Sequence, residues 1–167
     1  MNISMFDILG PVMIGPSSSH TAGAQRIGKA MYMICGKEEV KKVTFHLHGS
    51  FSHTLSGHGT DRALVAGLMG MDASDARIRN SLEIAREKGM EITFIPDDLG
   101  DVHPNTVKVL VVTKSGKKFS MIGSSVGGGE VEIVEINGTK AKSSGKYPSI
   151  IVTHIDRLGV ISKISSI

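Results

Sequence analysis

NTVKVLVVTKSGKKFSMIGSS, residues 105–125, decides the fold class. Two runs, residues 105–113 and 117–125, are rich in Val, Ile, Thr and Phe, the side chains that suit a pleated, half-buried surface. Lys114, Ser115 and Gly116 offer a turn between them, so the pair predicts a β-hairpin. Outward from it, EITFIP (91–96) and EVEIVEIN (130–137) predict further strands, set off by PDDLGDVHP and VGGG. Upstream, KVTFHLHG (42–49) alternates, with Val43, Phe45 and Leu47 on one face and Thr44, His46 and His48 on the other, as a half-buried strand does.

The period changes toward the N-terminus. Ala24, Ile27, Met31 and Ile34 recur at three- and four-residue steps, predicting an amphipathic helix over 21–35 closed by Gly36. TDRALVAGLMGM (60–71) places Leu64, Val65, Leu68 and Met69 on one side of a second helix. Ser74 and Asp75 can cap a third, which Gly89 stops. Early helices followed by a largely antiparallel set of strands predict an α+β fold, a two-layer sandwich of helices on a mostly antiparallel or mixed sheet. Residues 1–136 form this domain. NGTKAKSSGKYP (137–148) reads as a polar linker, and SIIVTHIDRLGVISKISSI (149–167) as a strand, a turn and the opening of a helix. A βα unit that small cannot bury its own apolar face, so it is expected to be the start of a cut domain or to pack on something else.

Composition excludes several function classes. Nineteen basic against sixteen acidic residues give a net charge of +3, and the only tight basic cluster is Lys114, Lys117 and Lys118 at the hairpin turn. Two Tyr, five Phe and no Trp leave little for base stacking, so nucleic-acid binding is not expected. The N-terminus is apolar but lacks a basic segment and meets Pro11 too early for a signal peptide, and no apolar run approaches the about 18 residues of a membrane span. One cysteine, Cys35, excludes an internal disulfide and suits a reducing compartment. A cytoplasmic protein is expected.

Histidine and serine carry the candidate chemistry. GPSSSHTAGAQRIGKA (15–30) sets Ser17, Ser18, Ser19, His20 and Thr21 at a helix start, where unpaired N–H groups and a partial positive charge can hold a carboxylate or phosphate. A cap needs only one such hydroxyl, so the excess points to a ligand. HLHGSFSHTLSGHGTD (46–61) holds four of the seven histidines. His58, flanked by Gly57 and Gly59, precedes the second helix; a neutral imidazole there can accept a proton, and the glycines admit a close substrate approach. His46 and His48, with His53 or His58 nearby, also fit a three-histidine zinc site, although no ligand spacing defines it. His103 and Asn105 flank Pro104, which fixes the backbone so that both side chains can face a shared pocket; Gly127 to Gly129 open another strand in the same way.

GPSSSHTAGAQRIG, GSFSHTLSGHGTD, HPNT and VGGGEVEI together resemble the β chain of the bacterial iron-sulfur-dependent L-serine dehydratase, in family order and over nearly the whole chain. The resemblance implies conversion of L-serine to pyruvate and ammonia without pyridoxal phosphate. It implies a 4Fe-4S cluster that acts as a Lewis acid on the serine hydroxyl and is carried by a partner α chain, since the cluster needs three or more cysteine thiolates. No metal is then held by this chain. By the same resemblance His58 is the first choice for the base that takes the α-proton. His20 is the alternative base or an orienting group. Ser17, Ser18, Ser19 and Thr21 would hold the substrate carboxylate, with Gly57, Thr60 and Asp61 of the second motif, and His103 and Asn105, as further substrate-binding positions. The family more often has SFAKTYK where this chain has SFSHTLS, so no role is carried over to His53. The domain also resembles the allosteric substrate-binding domain of some 3-phosphoglycerate dehydrogenases, and residues 149–167 resemble the start of an ACT domain, implying truncation of a longer β chain. Expected partners are the α chain and L-serine, with self-association of the isolated chain.

Two other readings stay open. A regulatory serine-binding module needs anion-holding serines but no positioned base. An independent zinc enzyme would need the strand histidines brought together with a loop histidine.

Overall fold

A computed structural model describes residues 12–145, 152, 154–155 and 157–166 of the chain. The hairpin forms as its composition predicts. Strand β3 (Thr106–Thr113) pairs antiparallel with β4 (Lys118–Gly127), Val109 opposite Met121 and Val111 opposite Phe119. Around it lie β1 (Val40–Leu47), β2 (Glu91–Pro96), β5 (Glu130–Ile136) and β6 (Thr139–Ser143), giving one six-stranded sheet in the order β2-β1-β3-β4-β5-β6. Every neighbouring pair is antiparallel except β1 with β2. A parallel pair needs a long crossover, and residues 48–90 supply it. They carry α2 (Gly49–His53), α3 (Thr60–Leu68) and α4 (Ser81–Glu87), while α1 (Ala24–Ile34) precedes the sheet.

Register decides which face these helices cover. Phe45, Phe94, Val109 and Met121 fall in one row across four strands, with Phe45 and Phe94 stacked 5.1 Å apart. They share one core with Ile27 and Met31 of α1, Leu64 and Leu68 of α3, and Ala85 of α4. The opposite face shows the polar half of the alternation, Thr44, His46 and Lys108, with Leu110 exposed among them. A two-layer α+β sandwich is therefore the architecture, as expected.

Helices α1 and α3 touch backbone to backbone. A Cβ added at Gly28 would lie 2.2 Å from the Leu64 carbonyl oxygen, and one at Gly67 would lie 2.0 Å from that of Gln25. Gln25, itself buried, donates from Nε2 to the Met71 carbonyl at 2.5 Å, and Lys29 pairs with Asp72. The N-terminal ends, where the candidate residues lie, meet through a separate contact, Thr21 Oγ1 donating to the His58 carbonyl.

Three expectations are corrected. The segment 137–148, expected to be linker, holds β6, because Asn137 and Gly138, both at positive φ, turn the chain back onto β5. The first helix begins before residue 21: Ser18–Gly23 form a π-helical turn that runs directly into α1. The strand expected over 42–49 is shorter: β1 ends at Leu47, and His48, still extended, stands at the N-cap position of α2. The N-terminal residues 1–11 and the strand expected at the start of 149–167 lie outside the described residues. Of that segment the helix is described, α5 (Val160–Ser165), with Leu158, Ile161 and Ile164 exposed. Among the described residues no helix is long and apolar enough to cross a membrane.

Candidate active site at the meeting of two helix N-termini

The π-helical turn is held at both ends. Ser17 caps it, its Oγ accepting the His20 N–H at 3.2 Å. At the other end Gly23 lies so close on β4 that an added Cβ would sit 2.0 Å from Ser125 Oγ. π turns are rare and frequently sit at functional sites. Here the turn fixes His20, whose Nε2 is 3.0 Å from Ser50 Oγ and whose Nδ1 is 3.4 Å from Ser17 Oγ. Phe51 meets the same ring edge-on at 5.4 Å. Burial, then the charge of His58, push the His20 pKa below its ordinary 6.5, against a smaller opposing effect of the Ser50 backbone. His20 is therefore kept neutral.

The second motif arrives from the other helix. Gly59 caps α3 in the left-handed conformation, φ +71°, a position that favours glycine. Its geometry sets His58 beside His20, the ring centroids 5.0 Å apart and the planes at 83°. Thr21 Oγ1 donates to the His58 carbonyl at 3.3 Å, tying the motifs together across 37 residues. His58 is exposed, and among the described residues its ring nitrogens have no hydrogen-bond partner. It lines an open cavity of about 210 Å³ with Gly15, Pro16, Thr21, Gly57 and Gly59.

The remaining predicted residues take several positions. Asp61 lies in the first turn of α3, where its charge suits the helix dipole, and accepts the Arg62 N–H at 2.8 Å. Thr60 and Ser125 are fully buried, and among the described residues neither Thr60 Oγ1 nor Ser125 Oγ has a partner. His103 Nδ1 accepts the Asn105 N–H at 3.1 Å, the Asn105 carbonyl accepts from Ser125, and the Pro104 carbonyl accepts the Ser50 N–H at 2.9 Å. This loop thus supports the residue that holds His20, but His103 and Asn105 do not line the His58 cavity. Ser18 and Ser19 lie in the π turn and do not line it either. Arg26 donates to the Gly129 carbonyl at 2.6 Å, anchoring the glycine turn on α1.

Sequence reasoning missed Ser50, Arg62 and Arg79. Ser50 lies inside the GSFSHTLSGHGTD motif but has no spacing of its own that marks it, and the two arginines, which line the His58 cavity, come from different elements. His46 and His48 are used elsewhere: His46 Nδ1 pairs with Asp97 at 2.9 Å and His48 Nδ1 accepts the Leu99 N–H at 3.2 Å. Among the described residues no three His, Cys, Asp or Glu side chains stand close enough to hold a metal ion. Cys35 is buried, and that burial pushes its thiol up to about 11, with Glu38 adding to the shift.

Residues 4–91 match the family model described as serine dehydratase beta chain. The chain is 44% identical to the probable L-serine dehydratase beta chain of Bacillus subtilis and 46% identical to the L-serine dehydratase beta chain of Peptoniphilus asaccharolyticus. Each likeness covers 98% of this chain and 74% of the relative. L-serine dehydratase 1 of Escherichia coli is 28% identical over 87% of this chain, which spans 37% of that protein.

Proposed function

This chain belongs to the serine dehydratase beta-chain family, and on that premise we propose that it is one half of an L-serine ammonia-lyase whose other half is a cluster-bearing α chain. The reaction releases pyruvate and ammonia from L-serine. The observation that carries the proposal is the exposed His58 imidazole, unpartnered among the described residues, on the wall of an open cavity and edge-on to a half-buried His20 whose neutral form is favoured.

The residues present do not fit a 4Fe-4S cluster. Such a cluster takes cysteine thiolates, and the chain has one cysteine, buried in the core with its thiol well above neutrality. The cluster is therefore assigned to the α chain, where it would supply a Lewis acid for the departing hydroxyl.

What this chain's residues do follows from their positions. His58 can take the proton from the substrate Cα on a ring nitrogen, since no other group occupies it. His20, with both nitrogens next to serine hydroxyls, orients rather than reacts: it stays neutral, so the proton gained by His58 meets no second charge at 5.0 Å. Gly57 and Gly59 add no side chain to the cavity wall on either side of His58. Loss of the α-proton and the β-hydroxyl leaves an enamine, and its hydrolysis gives pyruvate and ammonia.

Pyruvate formation from L-serine under anaerobic conditions tests the proposal, first with this chain alone and then with an α chain from the same source. Activity is expected only in the mixture. No activity in a mixture whose α chain carries an intact cluster would overturn it and favour a serine-binding regulatory module.

A further inference from the structure

Arg62 and Arg79 both line the His58 cavity, and both residues are exposed. Arg62 comes from the first turn of α3 and Arg79 from the 3₁₀ turn Ala76–Asn80, two elements joined where Ser81 Oγ donates to the Arg62 carbonyl at 2.7 Å. No Asp or Glu among the described residues lines that cavity. Among the described residues neither guanidinium makes a hydrogen bond or an ion pair, whereas Arg26 is paired with Glu130 and Arg77 with Asp75. The acids next in sequence are engaged: Asp61 accepts a backbone N–H from Arg62, and Asp75 is taken by Arg77 at 2.6 Å.

Two arginines lining one cavity give it a positive field that favours an anion, and a guanidinium matches a carboxylate in a paired, planar contact. A cavity of about 210 Å³ admits a small amino acid. We propose that Arg62 and Arg79 form the α-carboxylate subsite, a role the sequence assigned to Ser17, Ser18, Ser19 and Thr21, of which only Thr21 reaches this cavity. The arginines also repel the substrate's α-ammonium, so the carboxylate enters first and Cα is left beside His58. This deepens the dehydratase reading and rests on it for the identity of the ligand.

The test titrates the full chain with L-lactate, an unreactive 2-hydroxy carboxylate, and in parallel with ethanolamine, which has serine's amine and hydroxyl but no carboxylate. Binding is followed by the His58 imidazole resonances, assigned with His58→Gln. L-lactate is expected to shift them saturably and ethanolamine to leave them unmoved. R62Q and R79Q should each weaken lactate binding by about 10-fold, the scale of one charged hydrogen-bonded contact, and the double variant should abolish it. R62K and R79K, which keep the charge but lose the planar pairing, should fall between. A double variant that titrates like the wild type, or a wild type that shows no shift with or without the α chain, would overturn the subsite. Turnover separates the two readings. A mixture that makes pyruvate with an unchanged KM for L-serine in R62Q/R79Q removes the subsite and leaves the dehydratase; lactate binding as expected with no pyruvate from the mixture does the reverse.

Discussion

The imidazole of His58 stands edge-on to that of His20, 5.0 Å from centroid to centroid, although 37 residues separate them in the chain. One ring is half-buried and bracketed by Ser17 and Ser50; the other is exposed and unbracketed among the described residues. At that spacing two protonated rings repel, so the pair favours a single proton. The inner ring resists it, which leaves the outer ring as the acceptor.

Replacing His58 by Ala should lower pyruvate formation in the assembled enzyme by about 100-fold or more, the usual scale for a general base. Because the side chain is exposed, the urea midpoint should not move. Turnover near the wild-type rate would remove His58 from the reaction.

Ser50→Ala should act through His20. Losing one neutral hydrogen bond is worth about 1 kcal/mol, so kcat should fall several-fold while KM holds. Ser50→Thr, which restores a hydroxyl, should recover part of the loss. A fall confined to KM would place Ser50 in binding instead.

The depressed pKa of His20 makes a stability prediction with a definite sign. In the unfolded chain the ring titrates near its ordinary 6.5; in the fold it titrates lower. Between those two values the unfolded state binds the extra proton, so stability falls as pH drops through that window and levels off below it. Denaturation midpoints at about pH 7.5 and about pH 5.5 should therefore differ more in the wild type than in His20→Gln. Equal losses would assign the acid sensitivity to other groups.

Gly28→Ala should be costly because its Cβ would meet the backbone of α3 and not a side chain that can move. Overpacking of this kind costs about 1–3 kcal/mol or more, and it should push α1 and α3 apart. Gly36→Ala is the control. Its φ is +66° but nothing lies within 4 Å of the added atom, so only backbone strain of about 1 kcal/mol is expected. A Gly28 variant as stable as the Gly36 variant would mean that the helices can separate freely.

Cys35→Ala should leave the iron content of the assembled enzyme unchanged, and the native thiol should resist a thiol reagent until the chain is unfolded, as a buried group held near 11 must. Iron lost from a folded variant complex would return a cluster ligand to this chain.

Local periodicity carried the hairpin, the alternation of β1 and the apolar stripes of α1 and α3, because each depends on side chains a few residues apart. Gly-Pro-Ser-Ser-Ser-His-Thr and Gly-His-Gly-Thr-Asp were legible as sites for the same reason: each is a helix start with more polar groups than a cap uses. Segment 137–148 misled, since its Lys, Ser and Gly content fits a linker as well as an edge strand, and only pairing with β5 distinguishes them.

By itself, the sequence determined the class of fold, the two motifs and the family resemblance that they carry. Only the tertiary structure decided that β2 runs parallel to β1, that His20 meets His58, that Ser50 holds His20, and that Arg79 joins Arg62 at one cavity. These relationships are non-local. They depend on sheet order and on how closely Gly28 and Gly67 let two backbones approach, and no pattern within either helix encodes that distance.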